Sequence, residues 1–448
     1  MHCLQFYYCE LYKITVKLKG KAMLRSKQIA IVSQLVRHVI GFRSSDINDT
    51  VAIKYLKQLE SMCISYNILP NGFSQDPSVT PSKWTKIKSL LYISIMTINI
   101  IHFILLSAFD LPDEWHLLLG DFFYGHPNGR FFWLFFLNFS VFGEVIRHYW
   151  IFLAGNGHLT TFKLEHLIYS KGFSSRVLFM DPFYCKKFRF VATNLAIFWV
   201  RTSYFLTISF APILIFIVHS ASKLPKTSEQ YIYTGFWLLI SYLGVACTMS
   251  NLILSGGLAT IQLSYFYFKV AHVARTLQDL SMKRRHSKNA EYSLDYKPIV
   301  CEIIKYQNET EHCNIGVRNW FIFVYLGLSA VDNFGVYTAV FVHIDRGFMD
   351  FFILGVSMIG FVSIGACSYV NGVILTKMIS CCKNLRKVTS RLKLDAETFI
   401  KVTDLEDRLS RTDIAFTIGQ LLDMTTRVFV IYLIENICLI MMFKVNFQ

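Results

Sequence analysis

Seven stretches of this sequence are each apolar for about the twenty residues that a helix needs to cross the hydrocarbon core of a bilayer. They run over Ser89 to Phe109, Phe131 to Ala154, Phe190 to His219, Tyr231 to Phe268, Asn319 to Ile344, Phe351 to Thr376, and a last run ending at Phe443. Backbone polar groups find no water inside lipid, so such runs are helices whose hydrogen bonds close within the segment. With 53% hydrophobic and 16% aromatic residues over 448 positions, the chain is too apolar for a soluble protein. The expected fold is an all-α membrane protein with seven transmembrane helices.

Charge placement gives the expected orientation. Lys and Arg in short loops gather on the cytoplasmic side, and roughly 37 of the 45 basic residues fall before span one or between spans two and three, four and five, and six and seven. The alternate loops hold Asp110, Asp113, Glu114 and Asp121 against Arg130. These counts predict a cytosolic N-terminus and an extracellular C-terminus. The first residues have no basic stretch ahead of an apolar core and no small-residue cleavage site, so no signal peptide is expected. The net charge of +15 follows this loop pattern, and no nucleic acid partner is expected even for the basic run at 283 to 286.

None of the 11 cysteines falls in an expected outer loop, so no structural disulfide is predicted. The sequons at Asn48 and Asn308 lie on the inner side and that at Asn138 lies inside span two, so none should carry sugar.

Three regions follow from these patterns. Residues 1-87 read as a cytosolic helical segment, with an amphipathic stretch IAIVSQLVRHVIGF and a proline-broken approach to span one. Residues 88-376 hold spans one to six, and the apolar pattern of span four is long enough to project into the cytosol as a helix. Residues 377-448 read as cytosolic anchor helices followed by the seventh span. Together the inner projections predict a cytosolic helical anchor layer.

Ionisable groups inside a bilayer are costly and normally face protein or water. Span two carries Glu144 and Arg147 on one helical face, span three carries Arg201, and span five carries Asp332; Glu144, Arg201 and Asp332 are expected near mid-depth. Two readings stand: a charge network that locks the bundle together, or the floor of a ligand cavity open to the outside. Asn138, Tyr204, Trp237, Tyr242, Asp332, Tyr337 and Thr338 are the residues whose type and depth suit such a cavity, although Tyr and Trp also gather at membrane interfaces.

The last span, VFVIYLIENICLIMMF, carries Glu435 and Asn436 in its middle. On a helical wheel Glu435 shares a stripe with Arg427, Ile431, Cys438 and Met442, while Asn436 shares one with Tyr432, Leu439 and Phe443. A carboxylate framed by apolar side chains suits a water path that attracts cations and can dewet. One helix cannot enclose a pore, whereas several copies around a symmetry axis can. The alternative is an ion pair with Arg147 or Arg201 in the same subunit.

Rival classes fit less well. A G-protein-coupled receptor would place its N-terminus outside, and no Asp-Arg-Tyr after span three or Asn-Pro-x-x-Tyr in span seven is present. A secondary transporter would be expected to show repeated halves and broken helices, but Pro212 is the only proline inside a span. No zinc-protease motif, P-loop or nucleophile elbow occurs, so neither an enzyme nor a cofactor is expected.

The seven spans, the NILPNGF before the first, the long fourth and the closing RTDIAFTIGQLLDMTTRVFVIYLIENICLIMMF together resemble the insect chemoreceptor superfamily, in its gustatory-receptor-like branch. The family's ending is Thr-Tyr, five apolar residues, then Gln-Phe; here those positions are Ile437, Cys438, Leu439 to Phe443, Lys444 and Val445. The resemblance implies a tetrameric ligand-gated, non-selective cation channel in the plasma membrane of a sensory cell, either homo-tetramer or hetero-tetramer with related receptors. Its stimulus would be a small-molecule tastant or another external signal, and light or peroxide responses occur among nematode relatives. It implies that Ile431, Glu435, Cys438, Leu439 and Met442 line or adjoin the pore, with Leu439 or Met442 at the gate.

Overall fold

The computed structural model describes residues 47–74, 83–220, 228–286, 297–344, 347–390, 396–411, 416–419 and 422–447. The amphipathic stretch at 29–42 lies outside them, as do positions 412–415 and 420–421 of the expected anchor. The regular structure of the described residues is helical apart from a two-residue antiparallel pairing of Thr417–Ile418 (β1) with Leu422–Asp423 (β2).

The helices are α1 (Asp49–Ser65), α2 (Lys83–Ala108), α3 (Asp113–Leu118), α4 (Gly129–Gly155), α5 (Thr160–Lys171), α6 (Ser175–Leu178), α7 (Pro182–Ser220), α8 (Ser228–His286), α9 (Lys297–Tyr337), α10 (Gly347–Thr389), α11 (Ala396–Ser410) and α12 (Thr426–Phe447). Seven of these, α2, α4, α7, α8, α9, α10 and α12, are long and apolar enough to cross a membrane. A π-turn over Thr338–Val342 closes α9.

Helix length separates what spans from what projects. α8 has 59 residues, which at 1.5 Å each is about 88 Å and nearly three times the hydrocarbon thickness. α7, α9 and α10 have 39, 41 and 43 residues and also outrun one crossing. The boundaries near 87 and 376 therefore fall inside continuous helices, α2 and α10, and mark depth along a rod.

α8 is the hub, packing on α7, α10, α4 and α2. Away from the spans, Lys269 of α8 pairs with Glu309 of α9, and Tyr265 donates to the same carboxylate at 3.0 Å. Arg386 of α10 meets Glu406 of α11 at 3.3 Å, and Asn314 holds the Thr417 backbone N–H at 3.0 Å. These contacts tie the projecting helices into one layer.

That α1 lies along α7 is a finding that charge and hydropathy did not reveal. The apolar face of α1, Ala52, Leu56, Leu59 and Cys63, is buried, and Asp49 pairs with Arg189 of α7. At its far end the Tyr66 hydroxyl lies beside Ser250 and Thr207. The chain then turns at Asn67, with φ of 54°, and returns to Phe73, which stacks on Phe162 at 5.1 Å. Glu60 fixes this return by accepting from the Phe73 N–H at 2.6 Å and the Tyr169 hydroxyl at 2.8 Å. Glu165 of α5 is buried nearby, and burial, then the Glu60 charge, pushes its carboxyl well above the ordinary 4.5.

Candidate ion path and ligand site

α12 is the least buried of the seven long helices, with 11% of its apolar stretch covered against 28–56% for the others. It packs on α9 and α10 through a narrow edge. Among its described residues, Tyr432 and Asn436 are the buried ones, at 8% and 4% exposure. Arg427, Ile431, Glu435, Cys438 and Met442 are exposed along one stripe, and Leu439 is half-buried at its margin. The adjacent Glu435 and Asn436 thus face different ways, because a helix turns by about 100° per residue.

Asn436 is held by hydrogen bonds. Its Oδ1 accepts from Ser329 and from Asn333 at 2.5 Å, and its Nδ2 donates to the Tyr432 carbonyl at 2.6 Å. Polar side chains in apolar surroundings join helices in this way. Asp332 is on the neighbouring face of α9, 1% exposed, against Gly360 of α10, where any Cβ would run into its carboxylate. The glycine permits this close crossing.

The four intramembrane charges do not form one network. Glu144 and Arg147 pair, with Arg147 Nε and Nη2 donating at 3.0 and 2.6 Å. Glu144 also accepts from the Tyr92 hydroxyl at 2.7 Å, Asn251 donates to that hydroxyl, and Arg147 lies 4.9 Å over the Tyr92 ring. Arg201 is elsewhere, in a cleft between α7 and α1. Among the described residues no cation pairs with Asp332.

Depth accounts for the separation. From the helix ends that the charge pattern puts outside, Arg147 lies about 27 Å along α4, Arg201 about 29 Å along α7 and Tyr92 about 24 Å along α2. These distances approach the thickness of a hydrocarbon core, about 30 Å. Asp332 lies only about 15 Å from the end of the π-turn, near mid-depth. Glu144, Arg201 and Asp332 thus lie at different distances from those helix ends, about 22, 29 and 15 Å.

The expected cavity residues also separate into groups. Tyr242 of α8 donates to the Thr207 carbonyl at 3.1 Å and stacks near Phe210 of α7, centroids 6.3 Å apart. Phe210 meets Phe136 of α4 at 6.4 Å and Phe352 of α10 at 6.2 Å, so four helices converge on one aromatic group. Pro212 lies half a turn beyond Phe210 inside α7, where it deprives the Ile208 carbonyl of its helical donor. Asn138 is half-buried on α4, two residues from Phe136 and therefore on another face.

Trp237 is near the start of α8, stacked on His102 at 4.1 Å and donating to the Leu118 carbonyl at 3.0 Å. Tyr337 and Thr338 are buried at the end of α9, with the Tyr337 ring 5.8 Å from Phe443 of α12. Tyr204 lines the cleft that holds Arg201. Phe136, Phe210 and Phe352 were not singled out by sequence, because nothing distinguishes three members of a set of 40 phenylalanines.

This is a fold of seven helices long and apolar enough to cross a membrane, with long projections and a last helix that makes few intrasubunit contacts, and it is the fold of an insect olfactory receptor. In particular, it is similar to the insect olfactory receptor OR5 from Machilis hrabei, whose structure is of a complex with eugenol. The TM-score is 0.55 at 10% identity, over 86% of this chain and 98% of that one. At that identity the likeness is one of fold. No protein-family model matches the chain, and no curated protein matches it in sequence.

Proposed function

We propose that this protein is a chemoreceptor of the gustatory-receptor-like type, acting in the plasma membrane of a sensory cell as a tetrameric ligand-gated cation channel. Four copies of α12 line a central pore, and a small-molecule tastant binds in the outer half of each subunit. The observation that carries this reading is the exposed stripe Ile431, Glu435, Cys438 and Met442 on α12. A carboxylate facing hydrocarbon costs about 2.5–3.5 kcal/mol on insertion scales, and facing a shared aqueous path removes that cost.

In this reading Glu435 attracts cations in a wider part of the pore, and Leu439 or Met442 forms the apolar constriction that dewets when closed. Phe136, Phe210, Tyr242 and Phe352 form the wall against which an apolar ligand stacks. Four helices meet there, so a ligand that spreads the group shifts α10, on which α12 packs. The polar contacts of Asn436 with Ser329 and Asn333 give α9 a second hold on the pore helix. Asp332, Tyr337 and Thr338 then serve the coupling of α9 to its neighbours.

The test is the mass of the purified protein in lipid nanodiscs, corrected for bound lipid. Four copies of the 51.9 kDa chain, alone or with a related subunit, support the shared pore. A stable monomer in every lipid and partner combination contradicts it.

A further inference from the structure

We propose that the cleft between α1 and α7 binds the headgroup of an anionic phospholipid from the inner leaflet. The cleft has a volume of about 610 Å³, within the range of small-molecule sites. Its lining brings Lys54 and Lys57 from α1 together with Arg201 from α7, and among the described residues it contains no carboxylate. The acids of α1 are engaged elsewhere: Asp49 pairs with Arg189, and Glu60 takes the Phe73 N–H and the Tyr169 hydroxyl. Three cations in one opening select an anion, and a guanidinium is suited to bidentate contact with phosphate oxygens. Gln58 in the same lining supplies further donors for headgroup hydroxyls.

Position selects a lipid over a free phosphate. Arg201 lies about 29 Å along α7 from its far end, at the edge of the hydrocarbon core. Above the cations the surface of α7 turns apolar, with Phe205 61% and Ile208 69% exposed. Acyl chains can lie along those residues while the phosphate stays among the cations below. The site depends on neither the pore nor the aromatic group, so it stands apart from the channel reading.

The test uses the full chain, reconstituted in liposomes of phosphatidylcholine and phosphatidylglycerol at three to one. The protein is re-extracted gently and its retained lipids are weighed by native mass spectrometry. Each cation should contribute about a fivefold preference for phosphatidylglycerol, equivalent to about 1 kcal/mol. The wild type should retain phosphatidylglycerol well above its share. Lys54→Gln/Lys57→Gln/Arg201→Gln should lose that enrichment, and Lys54→Arg/Lys57→Arg should keep it. Lys383→Gln/Lys387→Gln, exposed on α10, should leave it unchanged.

Should the triple variant fail to fold, Lys57→Gln alone should lower the enrichment about fivefold. Equal retention of the two lipids by wild type, or an undiminished preference in the cleft variants, overturns the proposal. Displacement of the retained lipid by millimolar inorganic phosphate also overturns it, by marking a soluble-phosphate site.

Discussion

Neutralising Glu144 should destabilise the protein far more than removing Glu144 and Arg147 together. The Arg147 side chain is 1% exposed and that of Glu144 13%, so the guanidinium has little water to fall back on. Glu144→Gln leaves that cation buried without a counter-charge, which typically costs about 3–5 kcal/mol. Tyr92 and Asn251 offset none of this, since both are neutral. For a chain of this size about 2 °C of melting temperature is lost per kcal/mol, so a drop of about 6–10 °C is expected. Glu144→Leu/Arg147→Met removes both desolvation penalties, and replacing a buried pair by apolar residues is often neutral or stabilising. The assay is the apparent melting temperature in one detergent–lipid mixture at one scan rate, because unfolding of such proteins is commonly irreversible. If Glu144→Gln melts with wild type, or Glu144→Leu/Arg147→Met melts below Glu144→Gln, the pair is not buried as described.

Three further predictions concern other parts of the molecule. Asn436→Leu removes the acceptor for Ser329 and Asn333, worth about 1–3 kcal/mol to the state in which they meet; it should shift the half-maximal agonist concentration at least about fivefold with ion selectivity unchanged, and an unmoved dose–response curve would refute the coupling. Phe210→Ala opens the centre of the aromatic group, while Phe210→Leu keeps most of its volume. With surface expression matched, the alanine variant should lose agonist-evoked current and the leucine variant keep it, and equal responses would separate the ligand from this group. Glu165 has its folded-state carboxyl raised above the ordinary 4.5, so its contribution to stability is whole below that value and is lost as pH rises through the raised one. Wild-type melting temperature should therefore fall more between pH 5 and pH 8 than that of Glu165→Gln, and parallel pH dependences would show Glu165 to be solvated.

The spans were legible because about twenty consecutive apolar residues leave a backbone in lipid few alternatives. The projections beyond one crossing were legible in part: the pattern of span four continues well past one crossing, but the first twenty-odd residues of α9 are polar and carry no such mark. α1 was not legible as a helix packed along the span bundle. Its 17 residues include Lys54, Lys57 and Glu60, and only the tertiary positions of Arg189, Phe162 and Tyr169 reveal where they go. At the site, helical periodicity separated the Glu435 stripe from the Asn436 stripe, because the two depend on rotation about one axis. Periodicity could not name Ser329 and Asn333 as the partners of Asn436, nor bring Phe210 to Phe136 and Phe352. Those contacts depend on how separate helices cross, which no single run of sequence encodes.

The central claim, that α12 lines a cation path shared between subunits, is tested most directly at Glu435. Single-channel currents through purified wild-type and Glu435→Gln protein in planar bilayers, with calcium on one side and sodium on the other, give the permeability ratio. The account predicts a conducting variant with lowered calcium permeability or altered divalent block, since the ring loses its charge while the apolar gate is kept. Identical ratios and block in a conducting Glu435→Gln channel would place this carboxylate outside the pore and contradict the account.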